Sequence, residues 1–451
     1  MSVPAHHTHV TDTLQPPAFL DDLWETEVVP ALPGELALQA QALGAFQRTR
    51  AVPNPTLLLR ALLAYVLCVQ SFRGLGAWAI LLGLADLSDT AWRKRLRKAN
   101  AWLLWLLGDL LAAPPPPLPL VLPQPRRVLL IDATRLKQRG GSGDDWRVHV
   151  AYDLTAGRLA QVTVTDRHGG EHIDHFVLAP GDIIVADAGY GYRRTVLTAQ
   201  QAQADVVMRI TPATCPLVSQ SGAPLDVLRW VRKAGPPLRV WSGVCRWQGQ
   251  TAAVRLVAAK LSAQAARAAR CRVRRNAEHH GRTARPETLE LAGWLFVLTT
   301  LDGALWSETA VLTLYRARWQ VELVFKRLKQ VLHAHTLRAT TQASAEPMVR
   351  LLLLAWLVQE EEAAAVRAAV TQASSTGSGV LSSWLLTTVS MALVRQQVGG
   401  QWGRARLQAC LPRLVRYLCA SPRRRVHQET AVRAWLAKQF AAPQMPTAMA
   451  A

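Results

Sequence analysis

Glu322 is the one acid in the stretch LYRARWQVELVFKRLKQ (314–330), where five cations surround it: Arg316, Arg318, Lys326, Arg327 and Lys329. A solvated helix normally interleaves both signs as i,i+4 pairs, so a lone carboxylate in a basic field asks for another reason. Two more acids suggest one. Asp132 closes the run VLLID, and Asp187 closes IIVAD ahead of the turn AGYG, each where a strand gives way to a loop. A single aspartate in such a place is ordinarily a turn or cap residue. Two of them on neighbouring strands of a mixed sheet share the edge at which ligands bind. Three carboxylates gathered there repel one another unless a cation intervenes. Hard oxygen donors suit Mg²⁺ or Mn²⁺, and two such ions about 4 Å apart can activate a water or hydroxyl and stabilise a leaving 3′ oxygen in phosphoryl transfer. Asp132, Asp187 and Glu322 are therefore the candidate catalytic and metal-binding residues. The flanking cations would hold a phosphate backbone.

Helical geometry, at 100° per residue, gathers Tyr315, Arg318, Glu322 and Lys329 into one stripe that also takes in Lys326. Leu314, Val321, Leu328 and Leu332 crowd the same side, so periodicity alone does not separate core from site. The helix is expected to start at Ser307, its cap, with Glu308 in the first turn. The acids before it sit among short β-branched runs bounded by Gly, Pro or Asp. RVLLID (127–132), WRVHVAYDL (146–154), LAQVTVTD (159–166), DIIVADAG (182–189) and DVVMRI (205–210) read as strands, with a helix over 195–204. Strand character continues from about 211 to 300. It is interrupted by AQAARAARCRVRRNAEHHGRTARP (263–286), basic and without apolar period, which is predicted as a flexible arm or a helix and loop lying on phosphates.

The flanks read as helical. TLLLRALLAYVLCVQSF is apolar on almost every side, as in a buried bundle helix. In LSDTAWRKRLRKANAWLLWLLGDLL, Ser88 or Asp89 caps a helix bearing Arg93, Lys94, Arg95, Arg97 and Lys98. Such a helix resembles the DNA-facing second helix of a helix-turn-helix, and a solvated basic face is the other reading. The expected domains are a helical DNA-binding region over 1–112, a proline-rich linker over 113–126 (APPPPLPLVLPQP and onward), a catalytic domain over 127–345 with a β-rich insertion over 211–300, and a helical region over 346–451. QASSTGSG (372–379) and SPRRR (421–425) interrupt the last.

Composition narrows the partners. The chain of 451 residues carries 52 Lys plus Arg against 31 Asp plus Glu, a formal charge of +21. That balance favours polyanions, nucleic acid first and an anionic membrane surface second. Half the residues are hydrophobic, which excludes a disordered basic tail. The longest apolar runs, AWAILLGLA and LLLLAWLV, are shorter than the roughly 18–20 residues of a spanning helix, and the first residues lack the pattern of a signal peptide. Six cysteines without a C-x-x-C pair argue against a zinc ribbon or a disulfide framework. A protein of the cytoplasm is expected.

The spacing Tyr315-x2-Arg318-x3-Glu322-x6-Lys329 matches the Y-R-E-K signature of the DDE transposases of the IS-four insertion-sequence family. IDAT around Asp132 resembles that family's first motif, and IIVADAGYGY around Asp187 its second; together the resemblance runs from about 85 to 357. It implies an α/β, RNase H-like core with Asp132, Asp187 and Glu322 as ligands of Mg²⁺ or Mn²⁺. It also implies DNA contacts by Tyr315, Arg318 and Lys329 near the cleaved phosphate. Trp294 falls in the insertion, where some relatives stack a flipped base on a tryptophan. Ala133 departs from the glycine that relatives often carry after the first aspartate.

These resemblances lead to a prokaryotic, nucleoid-associated, cut-and-paste transposase acting on terminal inverted repeats and target DNA as a homodimer. The C-terminal helices would be its interface. The alternatives are an RNase H-fold nuclease that cuts without joining, or a catalytically silent regulator derived from a transposase. His168, His172 and His175 in DRHGGEHIDHF, with Glu171 and Asp174 nearby, invite a zinc reading. The Gly169-Gly170 pair favours a loop bordering the active site instead.

Overall fold

Apolar residues recurring at three- and four-residue intervals build five helices at the start of the chain. They are α1 (Leu36–Ala42), α2 (Pro55–Ala64), α3 (Phe72–Leu81), α4 (Asp89–Lys98) and α5 (Asn100–Ala112). Asn54, Ser71 and Ser88 cap α2, α3 and α4 by accepting from the amides of Leu57, Gly74 and Ala91. The computed structural model describes residues 23–49, 51–69, 71–112, 127–138, 145–332, 336–373, 380–420, 431–432 and 434–436. The proline-rich linker, most of 372–379 and the basic 421–425 lie outside the described residues.

After the linker the period changes to two. Strands β1 (Val128–Gln138), β2 (Trp146–Asp153) and β3 (Arg158–Asp166) form an antiparallel meander. β4 (Ile183–Ala186) then pairs parallel with β1, helix α6 (Arg193–Gln201) crosses over, and β5 (Asp205–Arg209) pairs parallel with β4. Past α7 (Val227–Arg232), the long hairpin β6 (Leu238–Trp247) and β7 (Gln250–Lys260) leads to helices α8 (Ala263–His279) and α9 (Pro286–Leu291). Strand β8 (Trp294–Thr299) closes the insertion by pairing antiparallel with both β5 and β7. The strand order β3-β2-β1-β4-β5-β8-β7-β6 is an RNase H-like core whose sheet the insertion extends.

This sheet is covered on both faces, which is why its central strands read as unbroken apolar runs. One face buries Leu129, Ile131, Ile184, Ala186, Val206 and Met208 under Val196 and Leu197 of α6. Alternation turns Leu130, Val185 and Val207 to the other face. Helix α10 (Glu308–Ala317) packs against β4, β5 and β8, and α11 (Trp319–Val331) follows it directly. The sequence predicts one helix through 314–330. Instead a tight turn at Arg318 divides it, closed by Arg318 N–H to the Tyr315 carbonyl and Val321 N–H to the Arg318 carbonyl, both at 3.1 Å. Such three-residue bonds tighten a helix locally.

Three further helices follow: α12 (Gln342–Ala373), α13 (Ser383–Gly399) and α14 (Arg404–Leu418). They join α1–α5 in one compact unit, while residues 127–137 and 145–326 make the other. The sequence separates the two helical flanks; the fold unites them through buried polar contacts that no local pattern reveals. Arg60 Nε donates to the Val398 carbonyl at 3.0 Å, and Arg350 meets Asn100 and Glu346. No single helix among the described residues is long and apolar enough to cross a membrane.

Candidate active site

Parallel pairing of Leu130 with Val185 fixes the site, because two residues further on each strand it brings Asp132 and Asp187 side by side. Neighbouring strands lie about 4.8 Å apart, and continued alternation points both acids away from α6, toward α10 and α11. From the turn between those helices Arg318 reaches back. Its guanidinium donates to Asp132 Oδ2 at 3.2 Å and makes a short ion pair with Glu322, four residues on. One cation thus bridges two of the three sequence-predicted acids.

The electrostatics follow from burial. Only 14% of the Asp132 side chain is exposed, and its carboxyl is pushed up to about 7, first by desolvation and then by the charge of Asp187. Arg318 and the Ala133 amide, which donates to Oδ1 at 2.8 Å, oppose that rise. Tyr315 stands beside Arg318 with its hydroxyl pKa raised by burial, near Arg209 and within reach of the Asp187 charge. Lys326 and Lys329 lie one and two turns past Glu322 on α11, Lys326 exposed and Lys329 half-buried.

Two residues join this group that sequence reasoning does not assign to it. Glu171 turns from the loop before β4 toward Asp187. Its carboxyl pKa is raised by burial and by Asp187, and a side chain at Gly189 would run into both carboxylates. The sequence places GGEHIDH in a loop bordering the active site, but nothing local singles out Glu171 as the residue that reaches Asp187. Tyr190 is fully buried, and its hydroxyl has no hydrogen-bond partner among the described residues. Burial and the charges of Asp132, Glu171 and Asp187 raise its pKa.

The histidines have other occupations. His175 Nε2 bonds the Gly170 carbonyl at 2.9 Å and its ring packs 3.9 Å from that of His149, while His168 and His172 are exposed. Beside this loop a cavity of about 270 Å³ opens between His172, Tyr192, Arg193, Arg194, Thr214 and Trp247. Trp294 begins β8, half-buried, with the Arg239 guanidinium 5.2 Å over its ring. In the helical unit, Arg93 and Arg97 of α4 are exposed and Arg95 is half-buried, while Trp92 and Leu96 face the interior. Seven residues separate α3 from α4, more than the three or four of a helix-turn-helix turn. Arg97 Nε donates to Ser344 Oγ at 3.1 Å.

Hard oxygen donors, one of them driven toward protonation by its neighbours, are the chemistry that a divalent cation satisfies. Among the described residues no three such side chains yet converge into a ready cage, and Arg318 holds oxygens of both Asp132 and Glu322. The donor set fits the metal, and the guanidinium competes for it. An RNase H-like sheet with paired strand-end aspartates and a glutamate on the following helix defines a metal-dependent phosphoryl-transfer enzyme. Residues 123–358 match the transposase DDE domain. The chain is also 32% identical over 330 residues to the transposase InsL for insertion sequence element IS186A of Escherichia coli strain K12, covering 72% of this chain and 89% of that one. It is equally similar, 32% over 331 residues with the same coverage, to the transposase for insertion sequence element IS421 of Escherichia coli. The chain belongs to the DDE transposase family.

Proposed function

We propose that this chain is the transposase of an insertion sequence, cleaving DNA at the ends of its element and joining the freed 3′-hydroxyls to target DNA. The observation that carries this reading is Arg318 between Asp132 and Glu322, at the sheet edge that also bears Asp187. Asp132, Asp187 and Glu322 would hold Mg²⁺ or Mn²⁺, two ions by the logic of the reaction. When bound, these would activate the attacking hydroxyl and stabilise the leaving oxygen. Arg318 would then turn from the carboxylates to a phosphate, with Tyr315, Lys326 and Lys329 as further contacts to the backbone. A guanidinium fork suits this role because it pairs bidentately with phosphate oxygens.

The helical unit, through Arg93, Arg95 and Arg97, would contact the terminal inverted repeats. Joining two ends implies a homodimer in a paired-end complex, acting in the cytoplasm on nucleoid DNA. Trp294 stacks a displaced base only if Arg239 leaves its face.

Purified protein, Mg²⁺ and labelled DNA carrying the element's ends test the reading. Nicking at the ends followed by joining to a plasmid supports it. Cutting without joining indicates a nuclease, and tight binding without cutting a regulator. Asp132→Asn should lower cleavage by more than about 10²-fold, beyond what loss of an outer-shell partner costs. The fold should not suffer, and the sign follows from the raised carboxyl pKa. An acid harder to ionise when folded destabilises the native state above that pKa, so at pH 8 the neutral amide should hold or raise the unfolding midpoint. Retained cleavage sinks the site assignment.

A further inference from the structure

We infer that the outward face of α8, carrying Arg267, Arg274 and Arg275, is a docking surface for the phosphate backbone of duplex DNA next to the cleaved bond; this rests on the reading of the chain as a DNA-cleaving enzyme. Helix α8 holds 17 residues and is capped by Ser262, whose Oγ accepts from the Ala265 amide. It seats a narrow stripe of small side chains, Ala266 and Ala269 buried and Val273 and Ala277 half-buried. On the opposite side Arg267, Cys271, Arg274, Arg275 and Glu278 are all exposed.

Arg270 alone is turned in, donating to the Leu289 carbonyl at 3.1 Å. Arg267, Arg272, Arg274 and Arg275 make no hydrogen bond or ion pair among the described residues. A helix face that merely faces water tends to pair its charges; this one has Glu278 against three arginines. Arg267 and Arg274 lie about 10 Å apart along the axis, a length over which duplex DNA presents about six charges.

Strand register sets where the helix begins relative to the acids. Arg209 at the end of β5 pairs with Val297, and Lys260 at the end of β7 pairs with Trp294. Helix α8 therefore leaves the sheet from the edge that bears Asp187. It starts about 10 Å beyond that level and three strands, about 14 Å, across from β4. Duplex DNA with a phosphate at the carboxylates spans that distance in less than one helical turn.

Cys271, in the middle of the face, reports on it in the full-length protein. Iodoacetamide labelling followed by mass spectrometry, with exposed Cys410 as reference, should show Cys271 slowed at least tenfold by duplex DNA carrying the element's ends. Independently, the variant Arg267→Ala/Arg274→Ala/Arg275→Ala should reduce the slope of log affinity against log salt by about 2.7, at about 0.9 per phosphate contact. Unchanged Cys271 labelling and an unchanged slope, in protein that still cleaves element ends, overturn the surface and leave the function standing. Wild-type protein that neither binds nor cleaves the DNA overturns the function, and this inference with it. Protection by anionic vesicles but not by duplex DNA also overturns it.

Discussion

His149 shows at the residue scale how the catalytic unit uses burial. It sits on β2 with no exposed surface. Its Nε2 bonds Thr165 Oγ1 at 3.0 Å, while Nδ1 has no partner among the described residues. Burial, then the neighbouring His175, holds its pKa down to about 3. The folded state therefore keeps it neutral, whereas the unfolded chain takes up a proton below about 6.5. Stability is full above that value and is lost as pH falls from about 6.5 toward 3, at about 1.4 kcal/mol per pH unit. His149→Gln keeps a donor for Thr165 and has no charge to gain. Urea unfolding at pH 7.5 and pH 5 should show the variant losing about 2 kcal/mol less than the wild type between the two. Equal losses would remove His149 from the acid response. The same logic with opposite sign applies to Asp132, which the fold keeps buried beside Asp187 at a cost that Arg318 and the Ala133 amide offset in part.

At the scale of elements, the aim of the site depends on where α10 begins and where it turns. Ser307 Oγ accepts from the Ala310 amide at 3.3 Å, fixing the start of the helix that carries Tyr315 and leads to Arg318. Ser307→Ala should destabilise the catalytic unit by about 1 kcal/mol, and Ser307→Asp should restore it. Thermal unfolding measures both, and a neutral alanine variant would show that packing of Val311 and Leu314 alone sets the helix. That cap was legible in the sequence, because Ser followed by Glu ahead of an apolar period is a local signal. The turn at Arg318 was not legible. Nothing in RARWQ breaks a helix by propensity; the turn lies where α10, packed on the sheet, ends and one guanidinium meets two carboxylates. Helix α8 was only half legible, since its contact stripe is alanine, which periodicity counts poorly.

At the scale of the whole molecule, an early and a late segment of the chain meet in the helical unit. Glu362 of α12 is 1% exposed and takes both arms of the Arg404 guanidinium, at 2.8 and 2.9 Å, while Gln397 bonds it and Glu27 alike. Glu27 in turn accepts from the Arg404 amide at 2.9 Å. Arg404→Ala leaves a buried carboxylate without its cation. Breaking such a pair costs about 3–5 kcal/mol when fully buried. Because Arg404 is 38% exposed, water can take part of its place, and about 2 kcal/mol is expected. Denaturant unfolding should show that loss, with Glu362→Gln recovering part of it. No loss would mean that apolar packing alone joins the two helical segments.

The sequence by itself determined the alternation of the strands, the caps, the basic character, and the three acids with their signature spacing. Each of these is encoded by residues within a few positions of one another, or by motifs short enough to read in line. Tertiary structure alone decided that Glu171 and the Tyr190 hydroxyl stand with Asp132 and Asp187, that Arg318 lies between two acids, and that residues 27 and 404 share one buried polar network. Each of those groupings includes a contact between positions tens to hundreds of residues apart. Their energies come from desolvation and Coulomb terms that exist only once the chain has brought the groups together and excluded water.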